Sequence, residues 1–204
     1  MGTRNLTAVY LNGEVRVAQY GQWDGYLEGA GYKVLDFCRK YLSTPQGIET
    51  FVSRVSDCTF VNEDSIIQAY ESVGIDIKKK DGWVNLDEAE RFKKAFPALD
   101  RDMGCDVLDY IMSVNQTPIY LRNSIKFSEE SLFCEYAYVI DLDTCELEIY
   151  CGFRKEPNTA VNRFRVSEPD RSGYYAVELL EKYSLSSLPS REELLKLEGE
   201  DDND

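Results

Sequence analysis

Residues 12 and 13, Asn-Gly, separate two runs rich in β-branched and aromatic residues, LTAVYL at 6–11 and EVRVAQY at 14–20. An Asn-Gly pair supplies the two positive φ angles of a type I′ turn, whose twist matches that of the strands it joins. The spacing predicts a β-hairpin, so the fold must accommodate a two-strand unit before any helix. Residues 21–31 follow with four glycines, and residues 32–42 then place Val34, Leu35, Cys38, Tyr41 and Leu42 on one helical face. The glycine-rich stretch therefore reads as a loop from strand to helix.

From residue 45 to about 115 the pattern is helical. Helices are expected at 48–55 and 63–73, at a segment opened by Asn85 with Glu88 three residues on as a capping box, and at 102–114. Lys78-Lys79-Lys80-Asp81-Gly82 reads as a solvated turn. Residues 117–121 and 133–153 are strand-like, the second as a hairpin around Asp143-Thr144 in which Tyr136, Tyr138 and Ile140 alternate with Glu135, Ala137 and Val139. Residues 163–166 fit a strand, and 174–180 fit either a strand or a helix. Pro189-Ser190 opens a short helix to residue 197, and 198–204 is an acidic stretch expected to be disordered. Strands, helices, then strands argue an α+β fold in a single domain over 1–197, with the first hairpin joining the later strands in an antiparallel sheet.

Composition narrows the function. With 43% hydrophobic and 12% aromatic residues in 204, the chain can bury a full core. No stretch has the roughly 18 apolar residues of a membrane span and no secretion signal is legible, so no membrane contact is expected and the cytoplasm is the expected compartment. The six cysteines form no CxxC pair and sit mostly in apolar stretches, as reduced core thiols do. A net charge of −14 disfavours duplex nucleic acid, but a small nucleotide could still bind a local basic pocket. The chain has no histidine, which removes His-based triads, His-ligated metals and the usual general base near neutrality. No cofactor or metal is expected, although Asp24 and Asp102 could share Mg²⁺ if folding brought them together.

Chemistry-bearing side chains are densest in the first thirty-one residues. Thr3, Arg4 and Asn5 enter the hairpin, and Tyr20, Gln22, Trp23, Asp24 and Tyr26 leave it. In a catalytic site Arg4 would neutralise a developing negative charge, Asp24 would orient or deprotonate, and Tyr10, Tyr20 or Tyr26 would donate a proton. Trp23 and Tyr26 could stack on a planar group, with Asn5 and Gln22 as polar contacts. Arg101, beside Asp102, offers a second guanidinium. The structural alternative makes Trp23 and Tyr26 core aromatics and Asp24-Gly25 a turn.

The stretches MGTR, QYGQWDGY and YAYVIDLDTCELEIYCGF resemble a family of phage and bacterial proteins that begin Met-Gly-Thr-Arg or Met-Ala-Thr-Arg and carry Tyr-Cys-His-Trp-Asp-Gly-Tyr-Pro after the second strand. Here Gln22 stands in place of the histidine and Leu27 in place of the proline. The layout also resembles that of N-terminal-nucleophile hydrolases, which implies a four-layer αββα fold of antiparallel sheets. In those enzymes the nucleophile's own α-amine is the base. Gly2 holds that position and has no side chain, while Thr3 carries a hydroxyl but an amide nitrogen unless Gly2 is removed. The resemblance implies a small-molecule hydrolase, foremost a phosphodiesterase that degrades the cyclic nucleotides of bacterial anti-phage (CBASS) signalling. The alternatives are a non-enzymatic protein that sequesters such a nucleotide and an inhibitor of a host defence protein.

Overall fold

The computed structural model describes residues 2–79 and 82–199. Met1, Lys80, Asp81 and residues 200–204 lie outside them, and with them parts of the expected lysine turn and acidic tail.

The expected hairpin is present. β1 (Asn5–Leu11) and β2 (Glu14–Gly21) pair antiparallel, and Asn12 and Gly13 take φ values of 58° and 73° at the turn. β5 (Tyr136–Asp141) and β6 (Glu146–Cys151) form the second hairpin, and β7 (Glu178–Ser184) adds to its outer side. The five-strand order is β2-β1-β5-β6-β7. β1 runs parallel to β5, with Asn5 opposite Tyr136, so the sheet is mixed and not antiparallel. Two short strands, β3 (Cys58–Phe60) and β4 (Ile119–Leu121), make a separate parallel pair. The fold is α+β; a four-layer αββα arrangement is not shown.

Among the described residues, six α-helices accompany the sheets: α1 (Tyr32–Tyr41), α2 (Pro45–Ser56), α3 (Glu63–Ser72), α4 (Leu86–Ala95), α5 (Val107–Ser113) and α6 (Arg191–Leu195). Local chemistry explains their ends. Thr44 caps α2 by accepting from Gly47 N, with Pro45 in the first turn where its missing N–H has no partner to lose. Asn85 with Glu88 and Ser190 with Glu193 each complete a capping box. The helix expected from 102 begins only at 107, because Gly104 takes φ 55° and residues 104–106 turn as 3₁₀. Residues 27–31 form a single π-helical turn leading into α1.

The sheet is covered on both faces. On one, Val9, Val17, Tyr138, Ile140, Leu147 and Ile149 pack with the buried faces of α1, α2 and α5. On the other, Leu6, Ala8, Ala18, Val139 and Tyr150 pack beneath Phe164, Ala176 and Val177. Each fully buried Leu, Ile or Val adds about 1.5–3 kcal/mol. A smaller core joins α3 to α4, where Tyr70 and Phe92 stack with centroids 3.8 Å apart.

Residues 163–166 form no strand. Asn162 Nδ2 donates to Val177 O, and Arg163 turns into the protein to meet two carboxylates, so this backbone follows the side chains and not a ladder. Residues 174–177 precede β7; Tyr175 N and Val177 N donate to Arg154 O and Ser128 O instead of to a strand. At the C-terminal end, residues 196–199 continue α6 as a 3₁₀ turn.

Candidate functional site

The end of the β1–β2 hairpin divides the expected site residues by the alternation of a strand. Leu6 lies opposite Tyr20 and Asn5 opposite Gly21. Arg4, Tyr20 and Gln22 therefore belong to the face of Leu6, whereas Asn5 and Trp23 belong to the other. The expected convergence of Arg4 with Asp24 does not occur: the two line different depressions.

The first is an open groove of two adjoining lobes, about 340 and 270 Å³, that share Tyr20, Arg101, Phe127 and Glu130. Arg122 and Lys126 border one lobe, and Arg4, Gln22 and Phe133 the other. Gln22 organises the junction. Its Oε1 accepts from Tyr20 Oη at 2.5 Å and from Arg101 Nη2 at 3.3 Å. The Arg101 guanidinium lies 5.3 Å from the Tyr20 ring centroid and that of Arg4 lies 5.1 Å from Phe133. Tyr20 meets Phe127 edge to face at 4.8 Å. Arg122 is fixed by donating from Nε to Leu99 O at 2.5 Å. Four cations thus surround an aromatic floor in a chain whose net charge is −14. Among the described residues one carboxylate, that of Glu130, lines the groove.

The second depression is a cleft of about 140 Å³ on the opposite face, between Asn5, Gly21, Trp23 and Asp24 on one side and the 102–106 turn with Lys33 on the other. Asp24 and Asp102 both border it, yet no group of three or more metal-ligating side chains occurs among the described residues. Lys33 Nζ donates to Asp106 at 2.9 Å, which holds the ammonium pKa above its usual value. Burial pushes the Cys105 thiol up to about 11, despite the nearby lysine, so it is a poor nucleophile near neutrality. Asp24 sits at φ 52°, pinned by Ala30 N donating to its carbonyl at 2.7 Å.

Thr3 and Tyr26 border neither depression. Thr3 contributes its carbonyl, which accepts from Gly25 N at 2.9 Å. Tyr26 is partly exposed where the chain enters the π-helical turn, and Trp23 is 62% exposed, so neither is a core aromatic. At position 2 a Cβ would stand 2.4 Å from Trp23 Cε3 and 2.6 Å from Gln22 O. That packing leaves no room for a nucleophilic side chain at the residue after Met1.

Two features were missed from sequence. One is a buried ion network: Glu148 accepts from Arg163 Nε and Lys182 Nζ, each at 2.6 Å, and from Tyr150 Oη at 2.6 Å, while Arg163 also reaches Asp141 at 2.5 Å and covers Tyr10 at 4.2 Å. Burial works against both carboxylates, but the hydrogen bonds from Arg163 outweigh it and hold each below its ordinary pKa. A glutamate inside the strand ELEIYC was the available signal. The other is a cavity of about 690 Å³ between α3, residues 95–99 and residues 116–120, bordered by Gln68, Ser72, Tyr110 and Tyr120 and, among the described residues, by no ionised side chain. No sequence pattern marked it, because it is assembled from three separate segments.

No helix among the described residues is long and apolar enough to cross a membrane. No protein-family model, no curated protein and no solved structure matches the chain, which leaves the two depressions beside the first hairpin to carry the functional reading.

Proposed function

We propose that the chain binds a small phosphorylated ligand with a planar ring, a nucleotide or cyclic nucleotide, in the groove of Arg4, Tyr20, Gln22 and Arg101. The observation that carries this reading is the concentration of Arg4, Arg101, Arg122 and Lys126 around Tyr20, Phe127 and Phe133 on an otherwise acidic protein. Guanidinium groups meet phosphate oxygens in pairs, and aromatic rings supply a stacking face for a base. The acidic remainder of the surface repels long polyanions, which favours a short ligand over a duplex. Sequestration is the preferred mode, since position 2 has no space for a nucleophile and Asp24 faces away from the groove.

A hydrolytic mode is the second reading, and Glu130 favours it. Its carboxylate, the general base lining the groove among the described residues, would take a proton from a water attacking phosphorus and return it to the ribose oxygen released as the P–O bond breaks. Under this reading the protein is a phosphodiesterase of the kind that removes cyclic-nucleotide defence signals in an infected bacterium. The kinship to N-terminal-nucleophile hydrolases is then one of resemblance in the opening residues, and the amine-assisted mechanism is replaced.

Calorimetric titration with a panel of linear and cyclic mono- and dinucleotides, followed by chromatography of each mixture, tests both. Saturable binding with intact ligand supports sequestration, and a linear product supports hydrolysis. If neither inorganic phosphate nor any nucleotide binds or is converted, the reading is wrong.

A further inference from the structure

The cleft on the other face of the hairpin carries an independent inference. Asn5, only 1% exposed, lines it, and its Oδ1 has no hydrogen-bond partner. The amide is not free to turn away. Its Nδ2 is directed at Trp23 O, 3.4 Å away, and ideal Cβ positions at Gly21 and Gly25 lie 2.7 and 2.8 Å from Asn5 side-chain atoms, so bare glycine backbone holds the group in place. The cross-strand pair Thr7 and Gln19 continues the same face, and Thr7 Oγ1 and Gln19 Oε1 are buried without partners too. Thr7 brings its own hydroxyl hydrogen and neither it nor Gln19 borders the cleft, so the acceptor that faces the opening without a donor is Asn5 Oδ1, and it calls for a group that brings hydrogens.

The charge around the cleft selects which donor. Lys33 is occupied by Asp106 at 2.9 Å, and Asp102 has Arg101 at 3.3 Å. The Asp24 carboxylate has neither a hydrogen bond nor an ion pair among the described residues; it acts on Lys33 only through space, behind the Lys33–Asp106 contact, and its backbone is held in the left-handed region by the loop that follows. The exposed Trp23 ring borders the same opening and offers a face to a cation. We propose that this cleft binds a small organic cation with N–H donors, a primary ammonium group, whose hydrogens go to Asn5 Oδ1 and whose charge is met by Asp24 beneath Trp23. A volume of about 140 Å³ fits a short alkylammonium and not a nucleotide, so this site is distinct from the groove behind it.

The test uses the full chain with Trp83→Phe, which leaves Trp23 as the sole tryptophan reporter. Ethylammonium, tetramethylammonium and Mg²⁺ are titrated at constant ionic strength while Trp23 emission is followed, and the Asn5 side-chain amide is followed by ¹⁵N NMR. The expected result is a saturable emission change with ethylammonium, at least tenfold weaker with tetramethylammonium, and a shift of the Asn5 amide with ethylammonium alone. Asp24→Asn should weaken binding tenfold or more; Asn tolerates the left-handed backbone there, and an unchanged circular dichroism spectrum checks that the variant folds. Equal responses to the two ammonium ions, a response to Mg²⁺ alone, unchanged affinity in Asp24→Asn, or no saturation at all would each overturn the proposal.

Discussion

Two arginines lie on tyrosines of the first hairpin, and they have opposite fates. Arg163 covers Tyr10 at 4.2 Å and is surrounded by Asp141 and Glu148, with 21% of its side chain exposed. Arg101 covers Tyr20 at 5.3 Å, is 62% exposed, and has beside it one adjacent aspartate and the amide oxygen of Gln22. The same pairing of residue types therefore makes a buried structural tie at one end and an exposed face of the groove at the other. What separates them is whether protein carboxylates have already consumed the guanidinium's donors. Arg163, whose counter-charges are buried and come from two strands, fastens segments together; Arg101 has only the adjacent Asp102 at 3.3 Å and remains largely exposed.

The largest effect should come from breaking the saturated pair. Arg163→Met should lower stability by about 3–5 kcal/mol in urea unfolding, because Glu148 and Asp141 stay buried without their main partner. Arg101→Ala, made in parallel, should shift the midpoint by no more than about 0.5 kcal/mol. If the two variants lose equal stability, the contrast between them fails.

Acid should act on the first pair only. The folded pKa values of Asp141 and Glu148 lie below their reference values of 3.8 and 4.5, so the unfolded chain takes up protons first. Their contribution is complete above about pH 4.5, declines as pH falls and is lost once pH passes the folded values. A plot of unfolding free energy against pH should show this decline in the parent protein and a flatter one in Arg163→Met. Identical slopes would mean that Arg163 does not hold the carboxylates ionised.

The exposed pair should reveal itself in binding. Arg4→Ala and Arg101→Ala should each reduce affinity for a phosphorylated ligand about tenfold, as loss of a charge-assisted contact does, with little change in stability. Salt should weaken the parent more steeply than either variant. The smallest effect on binding is expected of Glu130→Gln, which removes the carboxylate lining the groove: affinity should tighten a few-fold, and only if the protein hydrolyses its ligand should turnover also fall, by about 100-fold or more.

Sequence carried the local half of this fold. The Asn12-Gly13 hairpin, the Asn85–Glu88 capping box and the Asp143-Thr144 turn are written in neighbouring residues, where turn and cap chemistry leaves little choice. The parallel pairing of β1 with β5 is not, since nothing near Asn5 names Tyr136 as its partner. The candidate site was half legible. Arg4, Tyr20, Gln22 and Arg101 do share a groove, but Asp24, which strand alternation would keep on the face of residues 20 and 22, lies beyond the end of β2 at φ 52° and borders the other depression. Phe127, Phe133 and Glu130 escaped notice because they reach the groove from a turn more than one hundred residues away in the chain.

The central place of β1 has a consequence for how the molecule comes into being. Its inner edge finds its partner only when the chain has been made as far as β5, a separation of 131 residues between Asn5 and Tyr136. Until then the first hairpin presents an unpaired apolar strand, the kind of edge that invites association with other chains. Assembly dominated by such distant contacts is slow, on a scale of milliseconds to seconds for small domains. Both depressions flank this strand, so ligand recognition of either kind should appear in one late step, when the last long-range pairing closes, and not gradually as the chain lengthens.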